Sequence, residues 1–324
     1  MRRKREVSLN TSKGIKNDMK IVFMGTPEFA VPCLDALVQN GYEVTGVFTQ
    51  PDKPKGRGYK LTPPPVKELA IQHNIPVFQP ATLKTDEALE QLKSCAPDLI
   101  IVVAYGKILP KAILELPPLG CINVHASLLP KYRGAGPIQW SVLNGETETG
   151  VTTMYMAEGL DTGDMLERIS TPIGENETAD QLHDRLAQLG AEVLLSTVQK
   201  AERGELKPEK QDDSLSCYAP MLTKELSLID FHKPAREVHN LIRGLSSWPA
   251  AHTLYQGKRL KVYESRLAEG KGTPGELLDE KNFVVACGDG AIQFVSVQYE
   301  GGKRMKSEDF LRGKHLKKGE ILGE

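Results

Sequence analysis

The chain has 324 residues, of which 40% are hydrophobic and 26% charged, and its formal charge is -1. This composition is typical of a folded globular protein and excludes collagenous and coiled-coil classes, while the length suggests two domains. The longest apolar run, at 99–104, is far shorter than the roughly 20 residues of a membrane span, so no membrane association is expected. The five cysteines are odd in number and not closely paired, which argues against a disulfide framework or zinc ribbon. A reducing, cytoplasmic compartment fits best.

Residues 1–18 differ from the rest of the chain in charge. They carry six basic residues against Glu6 and Asp18 and lack the apolar core of a secretory signal. The segment is therefore predicted to be a disordered basic extension, with nucleic-acid contact as the alternative. Met19 begins the first periodic segment and could be the biological start.

From Met19, short apolar runs alternate with helical patterns, as in parallel strands joined by crossover helices. Helices are predicted near 28–38, 66–73, 85–94, 137–143 and 179–203. Strands are predicted at 20–24, 42–49, 76–78, 99–104, 121–125, 151–156 and 165–171. Residues 19–206 are therefore predicted to form an α/β domain around a doubly wound, mostly parallel sheet.

The pattern changes at residue 207. Residues 207–220 contain few apolar side chains and several turn formers, which predicts a linker at 207–222. Beyond it, a helix is expected at 234–242 and short strands at 252–255, 260–263, 283–286 and 292–297. Short strands joined by glycine turns predict a small β-barrel over 223–324.

Three polar residues follow predicted strands, at the sheet edge where open α/β folds bind their ligands. Asn123 and His125 are two residues apart on one strand and so share a face. Asp161 follows another strand. An amide donor, a histidine and a carboxylate that meet at one edge can stabilise an oxyanion and move a proton, which is the equipment for acyl transfer.

Each of these residues also has a purely structural interpretation. Asn123 and His125 can satisfy loop backbone groups, and Asp161 can be a turn or cap residue. A metal site at His125 has little support because no second ligand has suitable spacing. A nucleophilic Ser127 is also poorly supported, since it lacks the glycine-flanked elbow.

The run Asn123-Val-His125-Ala-Ser127-Leu-Leu-Pro130-Lys-Tyr-Arg-Gly134 resembles the signature of the folate-dependent formyltransferases. The segments 24–30, 136–140 and 160–164 extend the resemblance to members that act on methionyl-tRNA. It covers essentially the whole chain from Met19, and only the basic extension departs from the family pattern.

The resemblance implies that Asn123, His125 and Asp161 are catalytic. It implies that Ser127, Leu128, Leu129 and Pro130 border 10-formyltetrahydrofolate, the formyl donor. It also places the pterin ring near Lys107, Ile108 and Leu109, where Gly106 and Gly159 allow close approach. The acceptor is then initiator methionyl-tRNA, and a monomer without a metal is expected.

The connection 50–65 is long and carries four basic residues against Asp52. Taken alone, this pattern predicts a solvated charged loop. The resemblance implies that it enters the acceptor stem of the tRNA, and Arg57 is the residue predicted to contact the unpaired end, since a guanidinium binds phosphate and stacks on bases.

The resemblance also implies that the C-terminal barrel is of the oligonucleotide-binding type and lies along tRNA. From residue 206 onward, 19 basic residues face 17 acidic ones, so attraction to RNA must be local. The candidate phosphate contacts are basic clusters at 258–261, 303–306 and 314–318. Two alternatives remain, a formyltransferase of sugar-nucleotide or ribotide amines and an inactive folate- or RNA-binding protein.

Overall fold

The computed structural model describes residues 19–55, 60–314 and 316–323. The predicted basic extension and Arg57 lie outside these ranges. Within them, no helix has the length and apolar content of a membrane span.

The first half of the chain forms a seven-stranded sheet in the order β10-β9-β7-β6-β1-β2-β5. Its strands are β1 (Lys20–Gly25), β2 (Glu43–Phe48), β5 (Val77–Phe78), β6 (Leu99–Val103), β7 (Cys121–His125), β9 (Glu148–Tyr155) and β10 (Met165–Pro172). Two short pairs lie outside it, β3 (Lys53–Lys55) with β4 (Lys60–Thr62), and β8 (Arg133–Gly134) with β11 (Tyr218–Ala219). The helices are α1 (Val31–Gln39), α2 (Pro65–Gln72), α3 (Asp86–Ser94), α4 (Lys111–Leu114), α5 (Pro137–Leu143) and α6 (Ala179–Glu202).

Six of the seven strands of the large sheet run in the same direction, whereas β9 is antiparallel to both of its neighbours, β7 and β10. Both faces are covered. Along β1, Ile21 and Phe23 join one apolar cluster and Val22 and Met24 the other, because successive side chains of a strand point to opposite faces. The predicted doubly wound, mostly parallel α/β class is confirmed. Strand direction at β9 and β10 could not be inferred, because apolar periodicity is the same in both directions.

The sheet order places the carboxyl ends of three strands side by side. From β1 the chain builds the sheet outward through β2 to β5, then returns to the other side of β1 with β6 and β7. The topological switch point therefore lies between β1 and β6, where open α/β sheets leave a crevice for ligands. His125 is the last residue of β7, beside this point.

The C-terminal half has its own apolar core and a six-stranded antiparallel sheet. Its elements are α7 (Ala235–Gly244), β12 (His252–Tyr255), β13 (Lys258–Ala268), β14 (Leu277–Asp279), β15 (Val284–Ala286), β16 (Ala291–Tyr299), β17 (Met305–Lys306) and α8 (Ser307–Gly313). Main-chain hydrogen bonds from the end of the chain bridge the two edge strands, since Gly323 donates to Leu254 and Leu277 donates to Glu320. This bridging closes the sheet, as the predicted small barrel requires.

The segment predicted as a linker is docked on the first half of the chain. Glu209 and Met165 exchange two main-chain hydrogen bonds, and β11 pairs with β8. The Trp140 indole donates to the Pro220 carbonyl at 2.8 Å. Both main-chain and side-chain hydrogen bonds hold the segment in place, and apolar periodicity does not predict contacts of either kind.

Candidate active site

A cleft of about 580 Å³ opens at the carboxyl ends of β1, β6 and β7. Pro27 and Phe29, which follow β1, line one side, and the segment from Ala104 to Leu109, which follows β6, lines another. The three residues predicted to be catalytic, Asn123, His125 and Asp161, all line this cleft. The structure thus brings together side chains that are up to 38 positions apart in the sequence.

The ring of His125 is held in one orientation by the backbone. Its side chain is 6% exposed, and Nε2 lies 2.9 Å from the carbonyl oxygen of Tyr132. Because a carbonyl only accepts hydrogen bonds, Nε2 must carry a proton and donate it. Nδ1 is therefore the ring nitrogen left to gain or lose a proton in the cleft.

Asp161 faces that nitrogen. Its carboxylate Oδ2 lies 3.6 Å from Nδ1 of His125 and accepts a hydrogen bond from the main-chain N–H of Gly134 at 2.8 Å. Asp161 has a φ of 52°, in the left-handed region that non-glycine residues rarely adopt. Strained backbone of this kind persists only where surrounding contacts fix it. The carboxylate is therefore well placed to orient His125 and to accept a proton.

Asn123 lies between Val102 of β6 and Met154 of β9 in the sheet. It is half-buried and lines the same cleft as His125. Its side chain supplies an amide donor next to the histidine, because residues i and i+2 of a strand share a face. An amide and an imidazole on one wall can together hold an oxyanion.

The loop predicted to border folate, Ser127 to Pro130, lies beneath the site. Ser127 and Leu129 are buried, and Leu129 packs with Met154 and Met165. Thr152 fixes the loop, donating to the Ser127 carbonyl at 2.7 Å and accepting from Leu129 N–H at 3.2 Å. None of the four lines the cleft. They support the floor under His125, and direct contact with folate stays a prediction.

The Lys107–Leu109 segment, predicted to lie near the pterin, does line the cleft. Its three side chains differ in their surroundings. Leu109 is buried, Ile108 is 81% exposed, and Lys107 donates to the carbonyls of Pro80 and Ala81. Partial burial, with Lys53 nearby, lowers the pKa of Lys107. Gly106, at a φ of 77°, turns the chain along the rim.

The base of the predicted tRNA-binding loop is a braced hairpin, although its tip lies outside the described residues. The Lys67 ammonium donates to both carboxylate oxygens of Asp52 and to Gln79. Gln50 donates to the Tyr105 carbonyl at 3.0 Å. The hairpin that leads to Arg57 is thus joined to the wall of the cleft.

Two residues of the docked segment contact the site, although their positions in the sequence did not predict this. Gln211 is 5% exposed and donates to the carbonyls of Asp161 and Gly163. Tyr218 lines the cleft and is 63% exposed. Little in the sequence indicates these contacts. A single glutamine and a single tyrosine in a segment with the composition of a linker do not point to a site.

No group of three or more His, Cys, Asp and Glu side chains is arranged to hold a metal ion in the described part of the chain.

Comparison with known proteins agrees with this architecture over both halves. The family model described as "Formyl transferase" matches residues 19–198, and the one described as "Formyl transferase, C-terminal domain" matches 221–315. A curated methionyl-tRNA formyltransferase of Pelobacter propionicus is 55% identical over 94% of this chain and 96% of its own length. The one from Alkaliphilus oremlandii is 54% identical over 94% of this chain and all of its own.

Solved structures share the fold at lower identity. WlaRD, a sugar 3N-formyl transferase, superposes with a TM-score of 0.66 at 23% identity, over 88% of this chain and 99% of its own. Methionyl-tRNA formyltransferase from Clostridium thermocellum gives a TM-score of 0.54 at 18% identity, over 78% and 95%. Formyltransferases that act on sugars and on methionyl-tRNA share this fold, so the fold alone does not identify the acceptor. The relatives with more than 50% identity are methionyl-tRNA formyltransferases. The chain therefore belongs to the formyl transferase family, in its methionyl-tRNA formyltransferase branch.

Proposed function

We propose that this protein transfers the formyl group of 10-formyltetrahydrofolate to the α-amino group of methionyl initiator tRNA, which serves translation initiation. The main support for this proposal is that Asn123, His125 and Asp161 line one cleft in a chain that belongs to the formyl transferase family. The acceptor is taken from relatives 51–55% identical over nearly the full chain.

Asp161 acts as the general base of the reaction and His125 as its general acid. The uncharged α-amine attacks the formyl carbon, and a carbon–nitrogen bond forms. Asp161 accepts the proton that the amine nitrogen then releases, directly or through a water. His125, protonated on Nδ1, gives a proton to the folate nitrogen as the bond between that nitrogen and the formyl carbon breaks. Proton transfer from Asp161 to His125, 3.6 Å apart, restores both groups.

The negative charge that develops on the formyl oxygen needs donors already in place. The Asn123 amide and the protonated His125 supply them from one wall of the cleft. Because the Tyr132 carbonyl occupies Nε2, the Nδ1 proton is the one that His125 directs into the cleft. Donors held by a β-strand and a fixed backbone contact need little reorganisation during the reaction.

The donor folate is proposed to bind at the wall formed after β6. Ala104 and Gly106 both have positive φ, so the backbone turns sharply there and brings main-chain groups to the cleft surface. Exposed Ile108 and Leu160 provide apolar surface at the rim. A flat heterocycle that hydrogen-bonds along its edge matches a wall of this kind.

Two separate surfaces are proposed to bind tRNA. One is the loop that carries Arg57. The other is the C-terminal unit, where Lys303 and Lys306 are exposed. Arg304 between them is less available, because it pairs with Glu264 and lies over the Tyr263 ring. The proposed organisation is a catalytic domain at 19–206, a linker at 207–222 and a tRNA-binding barrel at 223–324, working as a monomer.

An acceptor panel tests the proposal. The protein is incubated with 10-formyltetrahydrofolate and, separately, methionyl-tRNA, an amino-sugar nucleotide and glycinamide ribotide, and the formylated amine is identified by mass spectrometry. Formylation of methionyl-tRNA well above the other acceptors is expected. Preferential formylation of the sugar or the ribotide would contradict the proposal.

A further inference from the structure

We infer that Gln211, in the segment between the two halves, is a positioning residue that holds the catalytic loop of Asp161 in its active geometry. The inference rests on the proposed function, because it gives that reaction a further required side chain. A segment whose composition predicts only a linker then positions a catalytic side chain.

The contacts of Gln211 are specific. Its amide nitrogen donates to the carbonyl oxygen of Asp161 at 2.8 Å and to that of Gly163 at 2.7 Å. Its Oε1 accepts two hydrogen bonds from the Arg133 guanidinium, at 2.8 and 3.0 Å. Since Gln211 is 5% exposed, water does not readily replace these bonds.

Arg133 fixes which way the amide faces. A guanidinium has donors only, so the oxygen of Gln211 must face Arg133 and the NH₂ group must face the two carbonyls. Both donor hydrogens are then used on the loop of Asp161. No other uncharged side chain of this length donates two hydrogen bonds and accepts from an arginine at the same time.

The loop needs this support because its backbone is strained. Asp161 has a φ of 52°, and the carbonyl that Gln211 binds belongs to that same residue. Loss of the contact frees a residue whose carboxylate must stay near Nδ1 of His125. Displacements of about 1 Å in a catalytic group commonly lower turnover by up to about 100-fold.

Arg133 also connects Gln211 to the loop that orients His125, the partner of Asp161. Its neighbour Tyr132 supplies the carbonyl that orients His125, and Gly134 supplies the N–H that holds the Asp161 carboxylate. The docked segment therefore contacts both the Asp161 loop and the loop that orients His125.

The test uses the full-length protein and whichever amine it formylates in the acceptor panel, so that failure of the proposed function stays separate from failure of this inference. Gln211→Met keeps the side-chain length and removes the hydrogen bonds. We expect kcat to fall about 10- to 100-fold, with KM for both substrates within about threefold of the parent. Gln211→Glu, which keeps the acceptor for Arg133 but places a carboxylate oxygen against two carbonyls, should also lower kcat.

A double-mutant cycle separates positioning from general stabilisation. If Gln211 acts through Asp161, Gln211→Met should have less than about threefold further effect on kcat in an Asp161→Asn background. Asp213→Ala is the matched control, because Asp213 bonds the same Arg133 but is 80% exposed, and its kcat should stay near the parent.

Melting temperatures show whether each variant is folded at the assay temperature. A folded Gln211→Met or Gln211→Glu variant with parental kcat overturns the inference. So does an undiminished effect of Gln211→Met in the Asp161→Asn background, or a loss that appears entirely in KM.

Discussion

The imidazole of His125 shows how a backbone contact can decide the role of a side chain. The residue type predicts only that some nitrogen can move a proton near neutral pH. The Tyr132 carbonyl, 2.9 Å from Nε2, leaves Nδ1 for the cleft, and Asp161 lies opposite it. The neighbouring loops thus give this side chain, at the end of its strand, one defined orientation in the cleft.

Asn123 gives a direct test of the oxyanion proposal. Replacement by alanine removes the amide donor and leaves the strand intact, so kcat should fall about 100- to 1,000-fold with a small change in KM for folate. Steady-state kinetics measure this. Asn144→Ala, which removes an amide whose partner is the Tyr132 hydroxyl, is the matched control. A kcat within threefold of the parent for Asn123→Ala would rule out an oxyanion role.

Arg57 tests recognition of the acceptor end. Arg57→Ala should weaken the preference for initiator over elongator methionyl-tRNA about tenfold, while leaving the dissociation constant for folate unchanged. The ratio of kcat/KM for the two tRNAs is the measurement. Lys93→Ala removes an exposed charge on α3 and serves as the control. An unchanged ratio in Arg57→Ala would show that this side chain does not contribute to the choice.

The helices and strands that have a clear local pattern of apolar residues were predicted from the sequence. The strand at 121–125 and the helix at 137–143 match β7 and α5 residue for residue. The β8–β11 pair and the docking of residues 207–222 were missed, because two-residue strands carry no periodicity. The positions of Asn123 and His125 followed from strand alternation, whereas the contact of Gln211 with Asp161 depends on tertiary folding.

The loop that carries Asp161 tolerates little extra volume. A Cβ added at Gly163 would lie 1.7 Å from the carbonyl oxygen of Tyr155. Gly163→Ala should therefore displace the loop, lowering kcat at least about tenfold and the melting temperature by several degrees. Calorimetry and kinetics test both effects. Gly313→Ala, where a Cβ meets nothing within 4 Å, should change neither. Parental kcat in Gly163→Ala would mean that the loop need not keep this conformation.

The two halves of the chain meet in a close contact that combines helix packing with buried polar side chains. Helix α7 approaches α5 so closely that a Cβ on Gly244 would lie 2.8 Å from Leu143. Buried Arg243 donates to the carbonyls of Gly174 and Glu177, and buried His239 bridges Ser265 and the Glu175 carbonyl. These contacts fix the orientation of the C-terminal unit relative to the cleft.

His239 should make this contact sensitive to acid. Burial, together with nearby Arg243 and Arg236, lowers its pKa below the ordinary 6.5. The unfolded chain then binds a proton at this histidine more readily than the folded chain does. The contribution of neutral His239 to the free energy of unfolding is therefore fully present above about pH 6.5 and is lost as the pH falls below that value. Urea unfolding should show a smaller loss of stability between pH 7.5 and 5.5 in His239→Gln than in the parent. Equal losses would contradict this assignment.

Single-turnover formylation of methionyl-tRNA measures whether His125 and Asp161 move the protons of formyl transfer. Saturating 10-formyltetrahydrofolate and excess enzyme isolate the chemical step from binding and product release. His125→Ala should react about 100-fold or more slowly than the parent, with His73→Ala, which alters a histidine on the surface, close to the parental rate. A near-parental rate in His125→Ala would show that this imidazole does not take part in proton transfer.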